Sequence, residues 1–183
     1  QGYNQLSEAN REVLISPVLN KVRQLLLRKE LRAMLASTSK KFNLIELIQE
    51  RAAAGIPILG ICLGMQVLFE KGYEIEERQG LGLLKGEVIP IKTNEKIPHM
   101  GWNQLKLAKT SPTTHYLSDN DEVYFVHSYQ ATCPDDELIA YTTYGEVKIP
   151  AIVGKNNVIG CQFHPEKSGE IGRKILKAFL EEI

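Results

Sequence analysis

The pentapeptide Gly60-Ile61-Cys62-Leu63-Gly64 follows the apolar run Ile56-Pro57-Ile58-Leu59, and this pairing restricts the fold more than any other feature of the chain. A short, nearly all-apolar run reads as a strand buried on both faces. Gly-x-Cys-x-Gly directly after a strand has the spacing of a nucleophile elbow: the nucleophile occupies a sharp turn into a helix, and the glycines relieve crowding around strained backbone. The sulfur would project above the sheet at a helix N-terminus, where partial positive charge lowers a thiol pKa. A buried structural cysteine beside two turn glycines fits the pentapeptide equally well, so the reading needs support from elsewhere.

The flanking sequence supplies part of it. Asn43 can cap a helix with Leu44, Leu47 and Ile48 as its stripe and Gly55 as its stop. After the elbow, Met65, Leu68 and Phe69 give a second helical stripe, stopped at Gly72. Helix, strand and helix in this order predict an α/β fold with a doubly wound, mostly parallel sheet. Residues 86–91, 104–107, 122–129, 138–144, 151–153 and 158–163 also read as strands, spaced closely enough to be antiparallel strands added in the C-terminal half. Ser168 can cap a last helix whose Ile171, Ile175, Phe179 and Ile183 share one face.

The chain is read as a single domain over 1–183, in which 1–42 is atypical, truncated or altered. There, "REVLISPVL" has the character of a strand and "NKVRQLLLRKELRAML" that of a basic helix. A start at Gln1 rather than methionine suggests missing or processed residues.

Charge excludes some functions. Lys+Arg and Asp+Glu are equal at 22 each, so no overall field favours nucleic acid or an anionic membrane. No apolar run approaches the ~20 residues that span a bilayer. Cys62, Cys133 and Cys161 are odd in number and lack CxxC spacing, which points to a reducing cytoplasm. His99, His115, His127 and His164 show no ligand spacing with them, so neither a metal nor another cofactor is expected.

The second half of the chemistry stands at 162–168, "QFHPEKS". Pro165 biases His164 toward extended backbone, and in an extended segment His164 and Glu166 share a face. Cysteine, histidine and carboxylate are the parts of an acyl-transfer triad: nucleophile, general base and orienting acid.

GICLGMQ followed by QFHPEKS resembles the class I (triad) glutamine amidotransferases. Within them, "GLGLLKGEV", "PHMGWN" and "YFVHSY" look like the glutaminase subunits of imidazole glycerol phosphate synthase. The resemblance covers about residues 43–183. It implies that Cys62 attacks the carboxamide of glutamine, giving a thioester and ammonia, with His164 as base and Glu166 holding its ring. Leu63 N–H would be one oxyanion donor. Gln66, Glu74, His127 and Ser128 would bind glutamine. His99, Met100, Trp102, Asn103 and Lys167 would face a (β/α)8-barrel cyclase subunit in a heterodimer. That subunit would use the ammonia to make imidazole glycerol phosphate in histidine biosynthesis.

The pattern departs from the family at one place. Its members carry a "DYGMGN"-like opening and a "PGVG"-like loop that supplies a second oxyanion donor. "LISPVLNKV" stands roughly where that loop belongs, without its glycines. Losing one such donor costs about 100- to 1,000-fold in turnover. Two other readings therefore stay open: a different amidotransferase or cysteine hydrolase of the same triad type, and a non-catalytic binding subunit with a defective oxyanion site.

Overall fold

The computed structural model describes residues 43–183, so the strand, basic helix and loop readings made for 1–42 lie outside the described residues. In chain order it forms α1 (Leu44–Ala53), β1 (Ile58–Ile61), α2 (Leu63–Gln66), β2 (Lys71–Gly72), β3 (Arg78–Gln79), β4 (Glu87–Pro90), β5 (His99–Gln104), β6 (Lys106–Leu107), β7 (Glu122–His127), β8 (Tyr129–Thr132), β9 (Leu138–Tyr144), β10 (Val147–Lys155), β11 (Val158–Cys161) and α3 (Gly169–Glu182). A five-stranded sheet has the order β1-β11-β10-β9-β6; a four-stranded sheet, β3-β2-β4-β8, and the pair β5-β7 complete the set.

The apolar run is a strand, as its composition implies. β1 lies parallel to β11 with Ile58 opposite Val158 and Ile61 opposite Cys161. β10 and β9 then add antiparallel, so the expected α/β fold with antiparallel strands in its C-terminal half is present. Alternation along β11 divides the core in two. Val158 joins Met65, Leu68 and Phe69 of the elbow segment on one side. Ile159, Cys161 and Phe163 join Ile175 of α3 on the other, where Ile171, Phe179 and Ile183 also pack. The amphipathic stripe read for the last helix is the face it buries. Among the described residues no helix is long and apolar enough to cross a membrane.

The helix after the elbow is shorter than its stripe suggests. α2 has one turn, and Leu68 N–H already bonds back to Met65 O in the tighter 3-10 manner. The chain segment at 80–84 is the reason: Gly80, Leu81, Gly82, Leu83 and Leu84 donate their N–H groups to the carbonyls of Glu70, Val67, Phe69, Leu68 and Leu68 respectively. A continuing helix would need those carbonyls for itself. Met65, Leu68 and Phe69 are buried all the same. Gly72, read as a helix stop, lies in β2.

Candidate active site

Cys62 stands where β1 ends, and its N–H extends the parallel ladder by bonding to Cys161 O at 2.7 Å. Its backbone has φ 53° and ψ −110°, the left-handed side that side chains avoid. This is the strained turn that the spacing predicts. The two glycines do not share the work equally. A Cβ on Gly60 would lie 2.5 Å from Gly64 O and 2.8 Å from Leu68 Cδ1, so only glycine fits there. A Cβ on Gly64 would meet nothing within 4 Å, and the structure offers no steric reason for that glycine.

His164 lies three residues beyond β11 and is extended, φ −103° and ψ 95°, in keeping with Pro165. Its N–H donates to Tyr124 O at 3.0 Å. Its Nδ1 lies 2.7 Å from Glu166 Oε1. The pair is joined by a 3-10 turn, Pro165–Lys167, and not by the extended segment expected from the sequence. A carboxylate only accepts, so Nδ1 carries the proton and Nε2 keeps the lone pair that a base requires. Burial raises the Glu166 pKa, but the His164 hydrogen bond, its own backbone N–H and the nearby charges of His164 and Lys167 hold it below the usual carboxylate range.

The sulfur differs from expectation. Burial pushes the Cys62 thiol up, opposed by Leu63 N–H and the Lys167 charge and reinforced by the Glu166 charge. A single-turn helix contributes little dipole to offset that burial. Cys62 Sγ lies 3.9 Å from Val126 O and 4.0 Å from Gln162 Nε2. His164 Nε2 makes no hydrogen bond among the described residues; such contacts commonly tighten only when substrate is bound.

Beside the elbow, Leu63, Gln66, Val67, Tyr73 and Glu74 line a cavity of about 280 Å³. Gln66 Nε2 donates to Tyr129 O at 3.2 Å and to Gln162 Oε1 at 3.1 Å, and Tyr129 Oη donates to Glu74 O at 2.7 Å. His127 and Ser128 stand outside that lining. The His127 ring is buried, Nδ1 2.8 Å from Tyr129 O and Nε2 2.9 Å from His99 Nδ1. Burial lowers its pKa to about 4, keeping it neutral. A larger hollow of about 710 Å³, bounded by Leu107, Lys109, His115 and Glu182 among others, is lined by none of Cys62, His164 and Glu166.

His99 requires a correction. Its side chain is 0% exposed, stacked on Phe125 and Tyr144, with Nε2 2.7 Å from Asn103 Oδ1, so it does not reach the surface where the resemblance placed it. The outward side of β5 carries Met100 and Trp102, 59% and 53% exposed. Trp102 meets Tyr124 edge to face, and Lys167 Nζ lies 6.0 Å above the same Tyr124 ring. Cys133 and Cys161 are free thiols pushed up to about 11 and about 12, chiefly by burial. Among the described residues no cluster could hold a metal ion.

Sequence reasoning missed three contributors: Val126 O, the Tyr124 ring and Gln162. All three fall inside the YFVHSY and QFHPEKS stretches, but their roles were not readable there, because each acts through a contact that the fold makes across a long stretch of chain.

Residues 35–183 match the family model for class I glutamine amidotransferases. The chain is 98% identical over 144 residues to imidazole glycerol phosphate synthase subunit HisH of Lactococcus lactis subsp. lactis (strain IL1403), covering 79% of this chain and 71% of that protein. The corresponding subunit of Bacillus cereus (strain B4264) is 50% identical over 137 residues, 75% of this chain and 65% of that one. Among solved structures, PurLQS of Thermotoga maritima superposes with a TM-score of 0.59 at 24% identity, covering 76% of this chain and 68% of that one.

Proposed function

The chain belongs to the class I glutamine amidotransferases and groups with the HisH subunits of imidazole glycerol phosphate synthase; from that premise we propose that it releases ammonia from glutamine by way of a Cys62 thioester. The observation that carries this is the 2.7 Å bond between His164 Nδ1 and Glu166 Oε1 on the turn leaving β11, alongside the strand whose end holds Cys62. Glu166 fixes the imidazole tautomer, and Nε2 takes the thiol proton as sulfur attacks the carboxamide carbon. The tetrahedral oxyanion is met by Leu63 N–H. Collapse expels ammonia, which receives the proton from His164, and water then frees glutamate by the same route in reverse.

Gln66 and Glu74 flank the cavity into which the amino-acid end of glutamine would fit. Both amide protons of Gln66 are taken by Tyr129 O and Gln162 Oε1, which leaves its oxygen to accept from an ammonium group. His127 and Ser128 act through the backbone that follows β7. The ammonia goes to a (β/α)8-barrel cyclase subunit that makes imidazole glycerol phosphate for histidine synthesis. Met100, Trp102, Asn103 and Lys167 form its docking face, with His99 beneath. A reducing cytoplasm suits three free thiols.

The test is glutamate release from glutamine with the cyclase subunit present. The parent should turn over, while Cys62→Ala and His164→Asn lose on the order of 10⁴-fold or more and Glu166→Gln loses less. Parent activity no greater than that of Cys62→Ala overturns the proposal.

A further inference from the structure

We infer that Gln162 is a positioning residue of this site: its amide directs an N–H at the Cys62 sulfur and fixes which end of the Gln66 amide faces the cavity. What the cavity binds rests on the glutaminase reading above; the disposition of the amides rests on contacts alone.

A primary amide with 0% exposure is an unusual element of a core, because unmet donors and acceptors are costly to bury. Strand alternation sends Gln162 away from the side taken by Ile159, Cys161 and Phe163, and so toward the elbow. There its Oε1 lies 3.1 Å from Gln66 Nε2 and its Nε2 lies 4.0 Å from Cys62 Sγ.

The direction of this chain does not depend on how either amide is drawn. Tyr129 O, 3.2 Å from the Gln66 amide, can only accept, so the Gln66 group beside it must be the NH2. That NH2 also meets Gln162, so the Gln162 atom facing it must be the oxygen. The Gln162 NH2 is then left facing sulfur. One backbone carbonyl thus sets the polarity of two side chains and of the field at the nucleophile.

Two effects follow. An N–H aimed at sulfur stabilises thiolate over thiol, acting with Leu63 N–H against the burial that raises the Cys62 pKa. Gln66, with both protons engaged, holds its oxygen toward the cavity it shares with Glu74, a pair of acceptors suited to an ammonium group. Gln162 therefore acts on the thiol directly and on substrate through Gln66.

Two substitutions separate these effects. Gln162→Met keeps volume but removes both contacts. Gln162→Glu keeps an acceptor for the Gln66 NH2 but offers sulfur no donor and adds repulsion. The pH dependence of Cys62 alkylation by iodoacetamide, followed by peptide mass spectrometry on the full chain, reads the first effect. The midpoint should rise by about one pH unit in Gln162→Met, as loss of a hydrogen bond to a charged group implies, and further in Gln162→Glu. The KM for glutamine, with the cyclase subunit present, should rise in Gln162→Met and stay near the parent in Gln162→Glu. A residue that merely filled space would not produce that split.

Protection of Cys161 in the same digest reports that each variant is folded. In the parent itself, the Gln162 side-chain amide resonances should shift with the Cys62 titration, which keeps the inference testable if both variants misfold. Unchanged alkylation midpoints in folded variants, or amide resonances indifferent to that titration, overturn it. If instead the parent shows no glutaminase activity, the KM comparison falls with the proposed function, while the alkylation midpoints still decide the role of Gln162.

Discussion

Cys62 stands in backbone that a side chain resists, φ 53° and ψ −110°. Such strain costs of order 1–3 kcal/mol and persists only because its surroundings impose it. Cys62→Gly should therefore be inactive yet more stable than Cys62→Ala by about 1 kcal/mol, the relief of strain exceeding glycine's entropy cost. Urea denaturation of the two variants measures this, and equal midpoints would mean that the turn is relaxed. The elbow cysteine and the His164–Glu166 pair were legible in the sequence because their spacing is local: two glycines around a thiol, and a single proline between histidine and glutamate. The role of Gln162, which heads the QFHPEKS stretch, was not legible. An uncharged amide carries no pattern, and its partners lie 96 and 100 positions away. The direction of the Cys62 pKa shift was misread for a related reason: burial depends on the whole fold, whereas the helix dipole was read from local sequence.

At the scale of elements, the imidazole pair joins β5 to the β7–β8 corner. His127 Nδ1 must donate to Tyr129 O, leaving Nε2 to accept from His99 Nδ1. Burial lowers both pKa values, opposed at His99 by its bond to Asn103. Unfolded, a histidine binds its proton near pH 6.5; folded, His127 does so only at about 4. Between those values the unfolded state holds more protons, so this contribution to stability is full above pH 6.5 and is lost as pH falls toward 4. The loss should reach about 3 kcal/mol. Urea midpoints measured across that window should fall further for the parent than for His127→Gln, and parallel curves would refute the account. β7, β9 and β11 were readable as strands, but β5 was not, and its outward Met100 and Trp102 were named only through the resemblance. The length of α2 was not readable either, because the segment that takes over its carbonyls arrives from 80–84.

Across the whole molecule, β1 and β11 end side by side, and their carboxyl ends deliver Cys62, Gln162 and His164 to one edge of the sheet, where open α/β sheets generally place their chemistry. The exposed face of Met100, Trp102, Tyr124 and Lys167 borders that edge through His164 N–H, which bonds to Tyr124 O. Trp102→Ala should weaken association with the cyclase subunit by about 2 kcal/mol or more, while the pH midpoint for Cys62 alkylation stays unchanged. Titration calorimetry of parent and variant decides this, and equal affinities would place the docking face elsewhere. Ser168, read from the sequence as a helix cap, makes no cap bond. Its hydroxyl donates to His164 O at 2.7 Å and accepts from Tyr124 N–H at 3.0 Å. In mechanical terms it is a rivet through two plates: one hydroxyl pins the strand that carries Tyr124 to the turn that carries His164, so the two are expected to shift together.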